Sequence, residues 1–168
     1  MKKYIFGDKK DFALEYIVTA FYKNKYIGTI RYWINGDKYG NDSECLLTDS
    51  MHFIKNMYFY CGKRMVKCLS GKEHKELCRI LNDENIYEKC QCNPIPSIKY
   101  DLSMDISPVM DINIYFLQNT SESILLYQDE DKEIQVKSVE GDKIERIIYE
   151  VYTFVESMIS DELKSYKS

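Results

Sequence analysis

The last quarter of the chain carries the pattern that most restricts the fold. Between Ile144 and Ile159, apolar residues recur at intervals of three and four positions, which places them on one face of an α-helix. The stripe consists of Ile144, Ile147, Ile148, Val151, Tyr152, Val155, Met158 and Ile159. The opposite face is charged and mostly acidic, with Glu145, Arg146, Glu150 and Glu156. A helix of this kind needs an apolar surface to cover, and we expect it to pack on a β-sheet.

Two apolar runs near the N-terminus predict a β-hairpin. Residues 12–21 and 26–34 are rich in β-branched and aromatic residues, and a polar Lys-Asn-Lys segment separates them. Residues 3–6 predict a short strand before the hairpin. Asn35-Gly36 predicts a tight turn after it, because this pair tolerates positive φ angles. A further short run is expected around residues 38–39.

The C-terminal half predicts an antiparallel meander. The candidate strands are residues 98–104, 112–118, 123–128 and 133–138. Ile112, Ile114 and Phe116 alternate with polar or amphipathic neighbours, and Ile134 and Val136 alternate in the same way. This alternation indicates a meander with one buried face.

Helical spacing predicts helices over residues 49–60 and 70–82, and a loop with two prolines follows at residues 90–98. The whole pattern predicts an α+β fold. We expect an antiparallel β-sheet of about six to seven strands with two or three helices, the long C-terminal helix packed on the sheet. A chain of 168 residues has the size of one domain, so residues 1–168 are expected to form a single domain.

Charge is unevenly distributed along the chain. Residues 1–92 contain sixteen Lys and Arg against twelve Asp and Glu, whereas residues 93–168 contain seven against fifteen, a net charge of −8. An acidic surface repels phosphate backbones, so we expect no nucleic-acid partner. It favours a basic protein partner, although an acidic surface that only maintains solubility explains the same counts.

The sequence predicts no membrane contact. Charged residues interrupt the N-terminal segment before any signal-peptide run develops, and no stretch of about 18 uncharged apolar residues occurs. We therefore expect the chain to reside in the cytoplasm.

No recognisable catalytic motif is present. The seven glycines fit no phosphate-binding fingerprint, and no nucleophile elbow occurs, so we expect a binding protein without a cofactor. The six cysteines are expected to be thiols. Cys90 and Cys92 form a C-x-C pair, but a zinc site would need two distant ligands such as His74 or Cys78. A metal site is the minor interpretation.

One enzymatic alternative remains, a metal-dependent hydrolase or nuclease. Asp111 precedes a predicted strand, and Glu130 and Lys132 follow in an acidic-x-Lys order. Carboxylates in such sites hold Mg²⁺, and the lysine orients the nucleophile. However, Glu130 and Lys132 fall in a predicted turn, which a solvated surface explains better.

A set of short motifs at the N-terminus carries a family resemblance. The motifs are Ile5-Phe6-Gly7-Asp8, Phe12-Ala13-Leu14-Glu15-Tyr16, Gly28 before an aromatic strand, and Ile34-Asn35-Gly36-Asp37. Together they resemble the opening of immunity protein family 42, whose members are encoded beside bacterial polymorphic toxins, including contact-dependent growth-inhibition systems. The resemblance covers roughly residues 4–50, and the final helix fits the family's ending more loosely. It implies a cytosolic inhibitor that blocks the active site or substrate path of a cognate toxin domain, and it implies no catalytic residues.

The acidic segment of the meander is the predicted toxin contact. Toxins of this kind include basic nucleases, and aromatic anchors with complementary charge suit such an interface. The candidate toxin-binding residues are Asp129, Glu130, Asp131, Glu133 and Tyr127. Other tyrosines that could act as anchors or cap the core are Tyr26, Tyr39, Tyr87 and Tyr100.

Overall fold

The computed structural model describes residues 1–65, 99–118, 122–129 and 133–165. The helix predicted over residues 70–82 and the loop at 90–98 lie outside these ranges, as do Tyr87, Cys90 and Cys92.

The N-terminal part forms an antiparallel sheet. Its strands are β1 (Lys2–Gly7), β2 (Phe12–Tyr22), β3 (Lys25–Ile34), β4 (Asp37–Tyr39) and β5 (Cys45–Leu46). The order is β1-β2-β3-β4, and β5 also pairs with β3. Lys23 and Asn24 adopt positive φ angles of 47° and 62° at the β2–β3 turn, and Asn35 and Gly36 do so before β4. The predicted hairpin and both turns are confirmed.

The remaining elements form a helical layer and a second sheet. A 3₁₀ turn (Leu47–Ser50) leads into α1 (Met51–Phe59). Strands β6 (Ile112–Gln118), β7 (Ser123–Asp129) and β8 (Gln135–Val139) form an antiparallel three-stranded sheet in chain order. The chain then enters α2 (Gly141–Ser165). The α+β class and the long C-terminal helix are confirmed, and the strands divide between two sheets.

Residues 98–104 were predicted as a strand, and this was wrong for the described part of the segment. Only Asp101 makes a β-bridge, to Tyr115 of β6. The hydroxyl of Ser103 accepts the Ile114 N–H at 2.9 Å, which takes the place of a backbone ladder bond. The Asp101 carboxylate accepts the Ser103 N–H at 2.7 Å. These side-chain hydrogen bonds favour a loop over a regular strand.

The second sheet is covered on both faces, contrary to the expectation of one buried face. Ile112, Ile114 and Phe116 lie in the main core as predicted. The other face carries a smaller apolar cluster of Tyr100, Tyr115, Leu117 and Leu126. Tyr100 belongs to the loop before β6, so the chain itself covers this face. The alternation of Ile134 and Val136 predicted that their side chains would be buried. This was wrong for Val136, which is exposed in β8, whereas the neighbouring Lys137 side chain is mostly buried.

The main core joins α2 to both sheets. Ile144, Ile147, Ile148, Val151, Val155 and Met158 of the predicted stripe are buried in one cluster with inward-facing residues of β2, β3, β6 and β7. The helix approaches β1 closely at Gly7, where an added Cβ would lie 2.7 Å from Ile147 Cδ1. Gly7 also has a φ of +100°, so glycine suits this position in both space and conformation.

Within the described ranges, α2 is the longest helix, and none of the helices there is apolar enough over a sufficient length to cross a membrane.

Replacing Ile147 with Ala should destabilise the protein by about 2–5 kcal/mol, because the substitution leaves a cavity between α2 and β1. Ile147 is 1% exposed. The matched control is Leu163→Ala on the same helix, whose side chain is 59% exposed and whose loss should change stability by less than about 0.5 kcal/mol. Urea unfolding measures both, and equal stabilities for the two variants would contradict the proposed packing.

Candidate functional site

Two of the four predicted acidic contact residues, Asp129 and Glu133, lie within the described part of the chain. Asp129 is the last residue of β7 and is partly buried, whereas Glu133 is exposed. Glu130 and Asp131 lie outside the described residues. The structure therefore places two of the four acidic residues and leaves their common role as a prediction.

Tyr127 lies in the core rather than on the surface. Its side chain is 3% exposed and packs edge-on against Tyr39, with ring centroids 5.8 Å apart. Tyr39 and Tyr100 are buried as well, and Tyr26 is half-buried. These tyrosines cap or fill the core, so Tyr127 offers almost no surface to a partner.

A cleft of about 200 Å³ adjoins Asp129. It lies where the end of β4 meets β6 and β7, and its lining consists of Lys38, Tyr39, Gly40, Asn41, Asp111, Ile112 and Asp129. The β6–β7 register pairs Ile112 with Asp129, which brings Asp111 to the same cleft. The cleft therefore contains Asp129, a predicted toxin-contact residue, and Asp111, a residue of the hydrolase alternative.

The acidic surroundings act on the tyrosine in this cleft. Burial, together with the neighbouring Tyr127 and the negative charges of Asp37 and Asp129, raises the pKa of Tyr39 to about 12. The hydroxyl therefore stays protonated at neutral pH and can donate a hydrogen bond. Burial also raises the pKa of Tyr127, so the pair is uncharged.

The cleft does not assemble the metal site of the hydrolase alternative from the described residues. Glu130 and Lys132 lie outside the described ranges. Among the residues inside them, no group of three His, Cys, Asp or Glu side chains is placed to hold a metal ion. Asp111 and Asp129 share the cleft, but the described part of the chain places no third His, Cys, Asp or Glu beside them to hold a metal ion.

Asp11 forms an ion-pair bridge that the sequence did not reveal. Its carboxylate lies 2.9 Å from Lys137 Nζ of β8 and 2.7 Å from Lys143 Nζ of α2. Burial opposes ionisation of Asp11, but the hydrogen bonds and charges of the two lysines outweigh it and lower its pKa. The bridge joins the β1–β2 turn to the second sheet and to the long helix.

Several residues that carry the family resemblance are buried and contribute to packing. Phe12, Leu14 and Tyr16 point into the main core. Glu15 is buried on the other face of β2, where it pairs with Lys9 at 2.8 Å and accepts the Trp33 Nε1–H at 3.1 Å. These side chains stabilise the hairpin and the packing beneath it.

A group of tyrosines between α1 and α2, which the sequence pattern did not predict, forms what we call the tyrosine seam: Tyr58, Tyr149 and Tyr152. Tyr58 of α1 is 40% exposed. Its ring stacks on Tyr152 at 4.6 Å and lies 6.0 Å from Tyr149. The helical pattern of each segment was visible, but the seam exists only because two helices distant in sequence lie side by side.

Comparisons with known proteins agree with this fold. The family described as Immunity protein 42 matches residues 4–154 of the chain. The crystal structure of CdiI from Burkholderia dolosa AUO158 is similar, with a TM-score of 0.67 and 12% sequence identity. The match covers 89% of this chain and 99% of that one. A comparison with curated proteins gives no match.

The Asp11→Asn variant should be less stable than the wild type at neutral pH by about 1 kcal/mol, since an amide cannot pair with Lys137 and Lys143. The folded-state pKa of Asp11 lies below its ordinary value of 3.8. The Asp11 carboxylate therefore stabilises the folded protein fully above pH 3.8, and this stabilisation is lost as the pH falls through the lowered folded-state pKa.

Urea unfolding at pH 7, 5 and 3 measures this dependence. The difference in unfolding free energy between wild type and Asp11→Asn should be similar at pH 7 and 5 and should be smaller at pH 3. The control is Asp105→Asn, which changes an exposed carboxylate. A gap that does not change with pH would contradict the role of the Asp11 charge.

Proposed function

The chain belongs to the immunity protein 42 family and is an immunity protein that neutralises a toxin, and we propose that it does so by binding the cognate toxin domain directly. In this proposal the bound chain covers the active site of the toxin or the path of its substrate. The single observation that carries the proposal is the family match over residues 4–154. The family indicates a non-enzymatic role, and inhibition by binding requires no catalytic group of the chain itself.

We infer that the chain acts in the cytoplasm on a basic toxin, and that a nuclease fits best. A nuclease needs a positive surface to bind the phosphate backbone, and an acidic inhibitor can compete for that surface. Residues 93–168 of this chain carry a net charge of −8. Two of the seven cations in that half, Lys137 and Lys143, pair with Asp11 of the other half. Glu162 of this half in turn pairs with Lys25 of the other half, so these pairs leave the excess of acidic residues largely unchanged.

The proposed role of Asp129, Glu130, Asp131 and Glu133 is to steer the toxin towards the chain. Charges act over distances of about 8–10 Å at physiological salt, so they raise the association rate before contacts form. Tyr127 is not part of this proposal because it is buried.

A protection assay tests the proposal. The toxin domain encoded next to this chain is expressed in bacteria with and without the chain, and survivors are counted. We expect survival only with the chain and co-elution of the two proteins on gel filtration. Absence of both rescue and complex would refute toxin binding.

A kinetic experiment tests the steering role. The four-fold variant Asp129→Asn, Glu130→Gln, Asp131→Asn, Glu133→Gln should associate roughly tenfold more slowly at low salt, and its rate should depend less on salt concentration. The matched control changes four exposed carboxylates elsewhere, Asp8→Asn, Glu44→Gln, Asp49→Asn and Asp105→Asn.

Both variants alter the net charge by four units, so a difference between them reports on position rather than on total charge. Surface plasmon resonance with immobilised toxin domain at several salt concentrations measures the association rates. Equal rates for the two variants would show that the acidic segment has no special role.

A further inference from the structure

We propose that the toxin domain is held on the tyrosine seam between α1 and α2, with a cationic side chain of the toxin lying on the tyrosine rings. This inference rests on the proposed toxin binding and adds to it the contact surface and the chemistry of the group that occupies it.

The seam has the properties of a binding hot spot. Tyr149 is 54% exposed and Tyr58 is 40% exposed, and Tyr152 is half-buried beside them. Tyrosine is enriched among residues that dominate interface energies, because its ring contributes a large apolar area and its hydroxyl can form hydrogen bonds. A contiguous group of exposed aromatic rings is uncommon on a surface that only faces water.

The rings are already ordered without a partner. Tyr58 and Tyr152 stack with an interplanar angle of 16°. The Tyr152 hydroxyl donates to Glu156 Oε1 at 3.0 Å, which restrains the second ring. Side chains that are ordered beforehand lose less conformational entropy when a partner binds.

Carboxylates flank the seam on α2. Glu145, Tyr149, Tyr152 and Glu156 are spaced four, three and four residues apart, so they form one row along the helix surface. Glu145 accepts the Gly62 N–H at 2.6 Å through Oε1, and Glu156 accepts the Tyr152 hydroxyl through Oε1. In each case the hydrogen bond uses one carboxylate oxygen, and within the described part of the chain the second oxygen makes no hydrogen bond.

This row is complementary to a cation. A guanidinium or ammonium group is attracted to the face of a tyrosine ring and gains further stabilisation from a carboxylate within reach. The basic toxin inferred above presents such groups. A second copy of this chain fits less well, because it carries a net charge of −4 and would place the same acidic row against itself.

Within the described residues, two cations near the seam make contacts with other groups of the chain. Arg146 lies 4.0 Å from Glu150 on the neighbouring row. Lys63 lies over the exposed ring of Phe59, 3.9 Å from its centroid, and donates to the Phe59 carbonyl. Arg146 and Lys63 therefore contact Glu150 and Phe59 rather than the carboxylates of Glu145 and Glu156.

The test uses the immobilised toxin domain and measures dissociation rates. The Tyr58→Ala/Tyr149→Ala variant should dissociate roughly tenfold faster or more, while its association rate changes little. Tyr149→Lys should also dissociate faster because it places a positive charge opposite the cation of the toxin. Since Tyr149 is largely exposed, this second variant should fold even if the double variant does not.

The matched control is Phe21→Ala/Tyr22→Ala. This change removes two exposed aromatic side chains, 50% and 60% exposed, from the end of β2. It should leave the dissociation rate within roughly twofold of the wild type. Circular dichroism and thermal unfolding of every variant separate a lost contact from a lost fold.

The outcomes are distinguishable. If the wild-type chain does not bind the toxin domain, toxin binding itself fails. If the wild type binds and folded seam variants dissociate at the wild-type rate, the seam proposal is overturned and toxin binding stands. The seam proposal is overturned too if sedimentation velocity shows that these variants abolish a dimer of the chain while toxin binding is unchanged.

Discussion

The burial of one face of α2 is the interaction on which the rest of the structure depends. Its apolar residues enter a single core with inward-facing residues of both sheets, so the helix connects the two sheets. Apolar burial is non-directional and scales with the area removed from water. Specific contacts then set the position of the helix, notably Gly7 against Ile147 and the Asp11 bridge to Lys143.

Buried ion pairs and hydrogen bonds fix the relative positions of the strands, turns and helix that share the apolar core. Glu15 pairs with Lys9 beside Trp33, and Glu162 near the end of α2 accepts the Tyr26 N–H at 3.0 Å and pairs with Lys25. Buried carboxylates of this kind are costly unless they are paired and hydrogen-bonded. Their partners come from turns and strand ends, so each pair specifies one relative placement of two elements.

The N-terminal motifs that resemble the family and the surfaces proposed for binding are different parts of the molecule. The N-terminal motifs build the first sheet and its contact with α2. The proposed contacts are the acidic segment after β7 and the tyrosine seam on the helical layer. A scaffold of this kind can keep its packing residues while its surface adapts to a particular partner. Long-range charge affects association, whereas stacked rings affect how long a complex persists.

Local pattern in the sequence was sufficient to predict several elements. Runs of β-branched and aromatic residues with polar turn residues between them predicted the N-terminal hairpin, and helical spacing predicted α2, because both patterns depend on neighbours a few residues apart. The acidic character of the second half was also readable from residue counts alone.

The tertiary structure decided what depends on residues far apart in the chain. It divided the strands between two sheets, buried Tyr127 against Tyr39, and brought Asp111 and Asp129 to one cleft. It also placed Tyr58 on Tyr149 and Tyr152, which no local pattern predicts. Periodicity determines which face of an element is apolar, but exposure and contact depend on what packs against that face.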